Sequence, residues 1–310
     1  MAIINAIQSV LSIIAIISVG YYISRKHWID EDTPKLFAKL VTNVSLPALI
    51  IYTFLSSFDH QMLLQTAGSL IVPFVSILIC FGLSIGLSRL FVPEERRRSF
   101  QVMFTVSNTI FIGLPVNLSL FGEKSIPFAL IYYIANTSFF WTLGVLILRR
   151  EGGAATAPLF SKDTLNLICT PPLISFVVGL ALVALNIQLP MFAVTTLKYL
   201  GNLTTPLSLL FIGITFKEIK LSQIKPSVDM FLLMGGRFIL SPLLVFVLAQ
   251  GLAIPTLMRN VFIIQSAMPI MAQTAVVAKE CDANYEYVTV MVTLSTILGL
   301  IMIPLYFFFL

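Results

Sequence analysis

Ten apolar runs succeed one another along this chain, each about as long as the roughly 20 residues a helix needs to cross a hydrocarbon core. They cover 3 to 24, 36 to 56, 62 to 91, 99 to 121, 125 to 148, 164 to 185, 191 to 216, 227 to 249, 255 to 279 and 285 to 309. The runs are continuous, without the period-two alternation of barrel strands, so a transmembrane barrel is excluded. Inside lipid the backbone must then be satisfied within helices, and the fold class is an all-α membrane protein with ten transmembrane helices. With 58% of its 310 residues hydrophobic and 11% charged, the chain leaves no room for a soluble domain. The longest polar interruption, 149 to 163, reads as a flexible connection between two halves. The first run has no basic flank and no small-residue cleavage site, so it reads as a retained helix, not a removable leader.

Basic residues cluster after the odd-numbered runs: Arg25, Lys26, Lys35, Lys39, Arg89, Arg96, Arg97, Arg98, Arg149, Arg150, Lys162, Lys217, Lys220, Lys225 and Lys279. Even-numbered loops hold Lys124 and Arg259. By the positive-inside rule the odd loops are cytoplasmic, which places both termini outside the cytoplasmic membrane. The pI near 9.1 is therefore a topology signal. The Arg96 to Arg98 run reads as a membrane-surface anchor, and no nucleic-acid partner is implied. Cys80, Cys169 and Cys281 are scattered and suggest no disulfide or metal framework.

The chain also repeats itself. Gly20, Asn43 and Pro47 recur as Gly179, Asn202 and Pro206, each displaced by the same 159 positions (179 − 20 for the glycines). Five runs separate the copies, and an odd number inverts the second copy, giving a 5+5 inverted repeat. Carriers built this way bind substrate near the midplane, where discontinuous helices from corresponding positions of the two halves meet.

Two runs carry signs of such a break. The fourth contains Asn108, Thr109, Gly113 and Pro115, and the ninth contains Gln265, Ser266, Ala267 and Pro269. A proline removes a backbone donor and clashes with the preceding turn, so interruptions are expected at Pro115 and Pro269. At mid-bilayer they are tolerated where the freed groups face protein or a wet cavity. Half-helix N-termini exposed there favour an anion such as a carboxylate. The competing reading is a set of ordinary proline kinks, which is how Pro171-Pro172 and Pro242 are taken. Ser45, close to Pro47, is a further candidate; Asn43 and Asn202 suit helix–helix hydrogen bonding.

Intramembrane ionisable groups are few. Arg237 is the one arginine near a run's centre, and Asp229 lies nearer the cytoplasmic end of the same run. Arg237 has two readings, attraction of an anionic substrate or fixation of helices through backbone carbonyls. Lys198 is placed to snorkel to the headgroups. Coupling stays open. No paired midplane aspartates serve a proton antiporter, whereas Na⁺ has Gln265, Ser266, Gln273 and Thr274 as candidate ligands. The membrane potential alone drives a monovalent anion outward by about 2.3 kcal/mol per 100 mV. No cofactor is implied.

These motifs resemble those of the auxin efflux carriers, in particular the bacterial members sometimes labelled malate or organic-acid permeases, over the whole chain. The resemblance rests on Asn108-Thr109 with Gly113-Leu114-Pro115, on Ile264 to Pro269, on Ala278-Lys279-Glu280, and on Arg237-Phe238 with Pro242. It implies a scaffold of 1–60 and 163–220, a mobile transport domain of 61–150 and 221–310 with crossing broken helices, and a cytoplasmic linker at 151–162. It also implies an elevator mechanism, a homodimer through the scaffold, and a substrate site lined by Asn108 and Asn136. The implied substrates are carboxylates, malate-like or auxin-like; Thr170 stands where plant members carry an asparagine, which weighs against the auxin-like one, and their long central loop is absent, so regulation through it is not carried over.

The candidate substrate site is thus Asn108, Thr109, Gly113, Pro115, Asn136, Ser45, Gln265, Ser266 and Pro269, with Arg237 electrostatic or structural. The reading is a secondary transporter of small organic anions embedded in a lipid bilayer. Rivals are a sodium-coupled symporter, a channel and a ligand sensor on the same fold. An intramembrane enzyme lacks its residues: His27 and His60 lie in loops, and no His-Glu-x-x-His motif exists.

Overall fold

Prolines set where the helices of this chain begin and where they change pitch. A proline lacks an N–H, and its ring presses on the carbonyl four residues back, so it fits a first turn or a place where the winding loosens. The computed structural model describes residues 2–30, 32–57, 68–153, 170–215, 226–252 and 254–307, and among these the chain is helical apart from one isolated bridge. The helices are α1 (Ala2–Arg25), α2 (Thr33–Ser57), α3 (Gly68–Phe91), α4 (Arg97–Thr105), α5 (Thr109–Phe121), α6 (Glu123–Glu151) and α7 (Pro171–Ala184). They continue with α8 (Met191–Asn202), α9 (Thr204–Thr215), α10 (Val228–Gln250), α11 (Thr256–Ser266), α12 (Gln273–Glu280) and α13 (Tyr285–Phe307). Most of the connection after 153, with Lys162, Cys169 and the start of the sixth run, lies outside the described residues, as do Lys217, Lys220 and Lys225.

Pro47, Pro115 and Pro242 stand inside helices, each just past a π turn: Val41–Ser45, Thr109–Gly113 and Gly236–Leu240. The extra residue of a π turn displaces the carbonyl the ring would strike, so the helix continues through the proline. The Phe238 carbonyl, four residues before Pro242, accepts the Tyr306 hydroxyl instead. Pro171 and Pro172 open α7 after an extended Thr170 and so begin a helix where the sequence suggested a kink.

Among the described residues, five helices are long and apolar enough to cross a membrane, and Leu11–Arg25, Thr109–Phe121 and Pro171–Ala184 are shorter apolar segments. The fourth, seventh and ninth runs are each divided in two, as α4 and α5, α8 and α9, and α11 and α12.

The chain forms two compact units. The first comprises Met1–Gly68, Ile110–Leu130 and Cys169–Ile219; the second comprises Ser69–Thr109, Ile131–Ile168 and Lys220–Leu310. In the first unit α5 packs on α1 and α9, with the Phe111 and Phe211 rings 4.9 Å apart.

In the first unit, glycines let backbones approach. A Cβ on Gly20 of α1 would lie 2.5 Å from the Leu210 carbonyl oxygen of α9, and one on Gly213 of α9 would overlap the Ile17 carbonyl. Small residues are how helices associate closely where lipid removes a hydrophobic drive. Gly179 of α7 lies likewise against Phe54 of α2. Gly213→Ala is expected to cost about 1–3 kcal/mol by overpacking against backbone, which cannot rotate away. A detergent-purified variant should melt several degrees lower, and an unchanged melting temperature would refute the close crossing.

In the second unit the half-helices α4 and α11 are enclosed by protein: Phe100, Val102, Met103 and Phe104, and Met258, Val261, Phe262 and Ile264, are all 0% exposed. A helix that ends inside a membrane needs that enclosure, since lipid offers nothing to its terminal carbonyls.

Candidate functional site

α4 ends at Thr105, and Val106 turns extended (φ −97°, ψ 140°). α11 ends at Ser266. Beyond these ends Ser107 and Ile270 form an antiparallel bridge, and the Asn108 N–H donates to the Pro269 carbonyl at 2.8 Å. The fourth and ninth runs therefore cross where both are interrupted. The break of the ninth contains Pro269, as the sequence suggested. That of the fourth lies at Val106–Asn108 and not at Pro115, because the π turn of α5 absorbs that proline.

Three helices hold the crossing. From α6, the Asn136 carboxamide accepts the Ser107 N–H at its Oδ1 and donates its Nδ2 to the Ser107 carbonyl, both at 2.9 Å. It satisfies both backbone groups of one residue, as a neighbouring strand would. From α13, the Ser295 Oγ accepts the Ile270 N–H at 3.1 Å and donates to the Val292 carbonyl at 2.9 Å. Gly299, one turn further, leaves room for the Pro269 ring, which a Cβ there would overlap.

From α10 comes Arg237, 0% exposed. Its Nη1 donates to the Phe104 and Thr105 carbonyls at 3.1 and 3.2 Å, and its Nη2 to the Ser266 and Met268 carbonyls at 2.7 and 3.1 Å. The last carbonyls of a helix have no partner within it and form its negative pole. One guanidinium fork thus closes the C-termini of α4 and α11 together, and of the two readings of Arg237 these contacts are those of a helix-fixing group.

Of the other predicted residues, Asn108, Thr109, Gln265 and Ser266 are buried in the second unit, at 4, 2, 0 and 0% exposed. The Ser266 hydroxyl donates back to the Ile263 carbonyl at 2.7 Å. Thr274, in the first turn of α12, is fully buried with its Oγ1 unpartnered. Ser45, Gly113 and Pro115 belong to the first unit: Ser45 closes the π turn of α2, and the Gly113 carbonyl accepts Asn117 Nδ2 at 2.7 Å. Ser107, Ser295 and Gly299 were missed in the sequence. Their one signal there is small residues spaced a turn apart in an apolar run.

The electrostatics follow from helix direction. At the crossing α4 and α11 present C-termini, which Arg237 neutralises, while α5 and α12 begin nearby at Thr109 and Gln273. The first amides there have local acceptors: the Thr109 N–H donates to the Ser107 carbonyl at 2.9 Å, and the Thr274 and Ala275 N–H groups donate to the Met271 and Ala272 carbonyls at 3.0 and 3.2 Å. Among the described residues no group of three His, Cys, Asp or Glu could hold a metal ion.

Known proteins resemble the chain along its length. A family described as membrane transport protein matches residues 5–307. An uncharacterized transporter of Methanothermobacter thermautotrophicus is 29% identical over 310 residues, covering 96% of each chain. A second, of Methanocaldococcus jannaschii, is 24% identical over 311 residues with 96% of each covered. The uncharacterized transporter YfdV of Escherichia coli is 28% identical over 153 residues, 48% of each chain. Multi-pass embedding and a transport family argue together against an enzyme, and the chain belongs to the membrane transport protein family, that of the auxin efflux carriers.

Proposed function

We propose that the protein is a secondary transporter of small organic anions of the carboxylate class, and that it binds its substrate at the crossing. The observation that carries this reading is the neutralisation of both helix C-termini by Arg237, which leaves a crossing lined by buried neutral polar side chains with no negative pole to repel a carboxylate. Asn108 and Thr109, with Thr274 and Gln265, supply neutral polar side chains. Asn136 and Arg237 act by holding the backbone.

The wider reading is a carrier in the cytoplasmic membrane with both termini outside, built as a 5+5 inverted repeat. Support comes from Gly20 and Gly179, related by the repeat, each of which packs against a helix of the opposite copy in the first unit. In this reading 1–60 and 163–220 serve as scaffold and homodimer contact, and 61–150 with 221–310 form the transport domain of an elevator. The membrane potential can drive export of a monovalent anion, and the alternative is a sodium-coupled symporter with Gln265, Ser266, Gln273 and Thr274 as candidate ligands.

Asn108→Ala tests the site. The backbone bond from Asn108 to Pro269 survives the substitution, so the melting temperature should stay near wild type. Loss of a hydrogen bond to a charged group, worth about 1.5–3 kcal/mol, should weaken carboxylate binding about 10- to 100-fold. Counterflow in proteoliposomes reads this out, and normal exchange by the variant would refute the assignment. Conductance without exchange would instead favour a channel.

A further inference from the structure

The end of α4 remote from the crossing is held by a residue that no motif singles out. Glu151, the last residue of α6, accepts the Ser99 N–H at 2.7 Å and the Ser99 hydroxyl, and also accepts the Asn284 N–H at 3.1 Å. Ser99 is in the first turn of α4, and the residue before that helix, Arg96, makes no capping bond of its own. Asn284 directly precedes α13 and caps it, accepting the Tyr287 N–H at 3.3 Å on its Oδ1. One carboxylate therefore caps two helices at once, taking the N3 amide of α4 as an N-cap side chain would and the N-cap amide of α13 as the glutamate of a capping box would, and it reaches 52 and 133 positions along the chain. Its charge suits both positive poles.

The consequence lies at the other ends of these helices. α4 is nine residues long and leads into Ser107. α13 carries Ser295, which holds Ile270, and Gly299, which seats Pro269. Ser107 and Ile270 are the two residues that pair at the crossing. The register of α4 against α13 decides whether they meet, and Glu151 ties those two helices together at their N-termini. It does so from α6, which also supplies Asn136 to Ser107.

We propose that Glu151 is a positioning residue for the crossing: it sets the axial register of α4 against α13, and through that register the geometry offered to the substrate. The link to transport rests on the crossing being the substrate site; the register itself does not.

The test separates the two. Residues facing each other across an antiparallel bridge have Cα atoms about 4.5–5.5 Å apart, within disulfide reach. Ser107→Cys with Ile270→Cys, in a full-length chain with Cys80, Cys169 and Cys281 changed to alanine, should cross-link readily with copper phenanthroline in membranes. Glu151→Ala should slow that cross-link about tenfold. Glu151→Gln keeps one acceptor oxygen, so it should slow the reaction less and serves if the alanine variant fails to fold. Glu94→Gln, an exposed acid near the same end, should leave the rate unchanged. In the chain without the added cysteines, Glu151→Gln should raise the KM for a carboxylate several-fold more than it lowers the maximal rate. An unaltered cross-linking rate in both Glu151 variants overturns the proposal, as does a parent pair that never cross-links. Slower cross-linking with an unaltered KM upholds the register and instead sinks the crossing as the substrate site.

Discussion

Replacing Arg237 by leucine is expected to yield a protein that does not survive extraction as a monodisperse species. The substitution leaves the Phe104, Thr105, Ser266 and Met268 carbonyls without their donor in a region where Arg237 itself is 0% exposed. Each buried polar group left unpaired costs about 1–3 kcal/mol, and four together rival a total stability of about 5–15 kcal/mol. The negative poles of α4 and α11 would also face one another uncompensated. Arg237→Lys keeps the charge, but an ammonium is a point donor that cannot span two helix ends as a planar fork does. It should fold with a lowered melting temperature and transport slowly. Fluorescence-detected gel filtration and thermal melting measure both variants. A leucine variant that melts within a few degrees of wild type would refute the role assigned to Arg237.

The second large effect is expected at Asn136. Leucine has nearly the same shape but removes the bonds to Ser107, stranding a buried N–H at a cost of about 1–3 kcal/mol, while the Ser107 carbonyl keeps the Thr109 N–H at 2.9 Å. Transport should fall by about a hundredfold or more, since the extended turn at Ser107 loses the group that substitutes for a neighbouring strand. Asn136→Asp is more informative. An ionised carboxylate accepts the Ser107 N–H but cannot donate to the Ser107 carbonyl, whereas the protonated acid does both. Transport by this variant should therefore rise as pH falls, in contrast to Asn136→Leu, which stays inactive at every pH. A flat profile for the aspartate variant would show that Asn136 acts other than by pairing with Ser107.

Parts of the site were legible without coordinates. Asn108, Pro269 and Arg237 stood out because a polar, kinking or charged residue in an apolar run has few innocuous explanations. Asn136 came from resemblance, and its partner did not. Ser107, Ser295, Gly299 and Glu151 passed unnoticed, since small residues are common in membrane helices and a glutamate at a helix end looks solvated. The break was placed at Pro115 because a proline is a readable breaker. A π turn that absorbs it has no equally plain mark in the residues.

What the sequence alone determined is a succession of apolar runs and their helical character. Lipid obliges each segment to pair its own backbone, so run length and continuity suffice to establish them. The tertiary structure decided where the fourth run opens, which carbonyls share Arg237, and that one carboxylate from α6 serves both α4 and α13. Those pairings join residues far apart in the chain. Where a helix stops inside protein, its orphan carbonyls and amides take whichever donor or acceptor packing brings within reach, and that is a matter of distance in space, not of order along the chain.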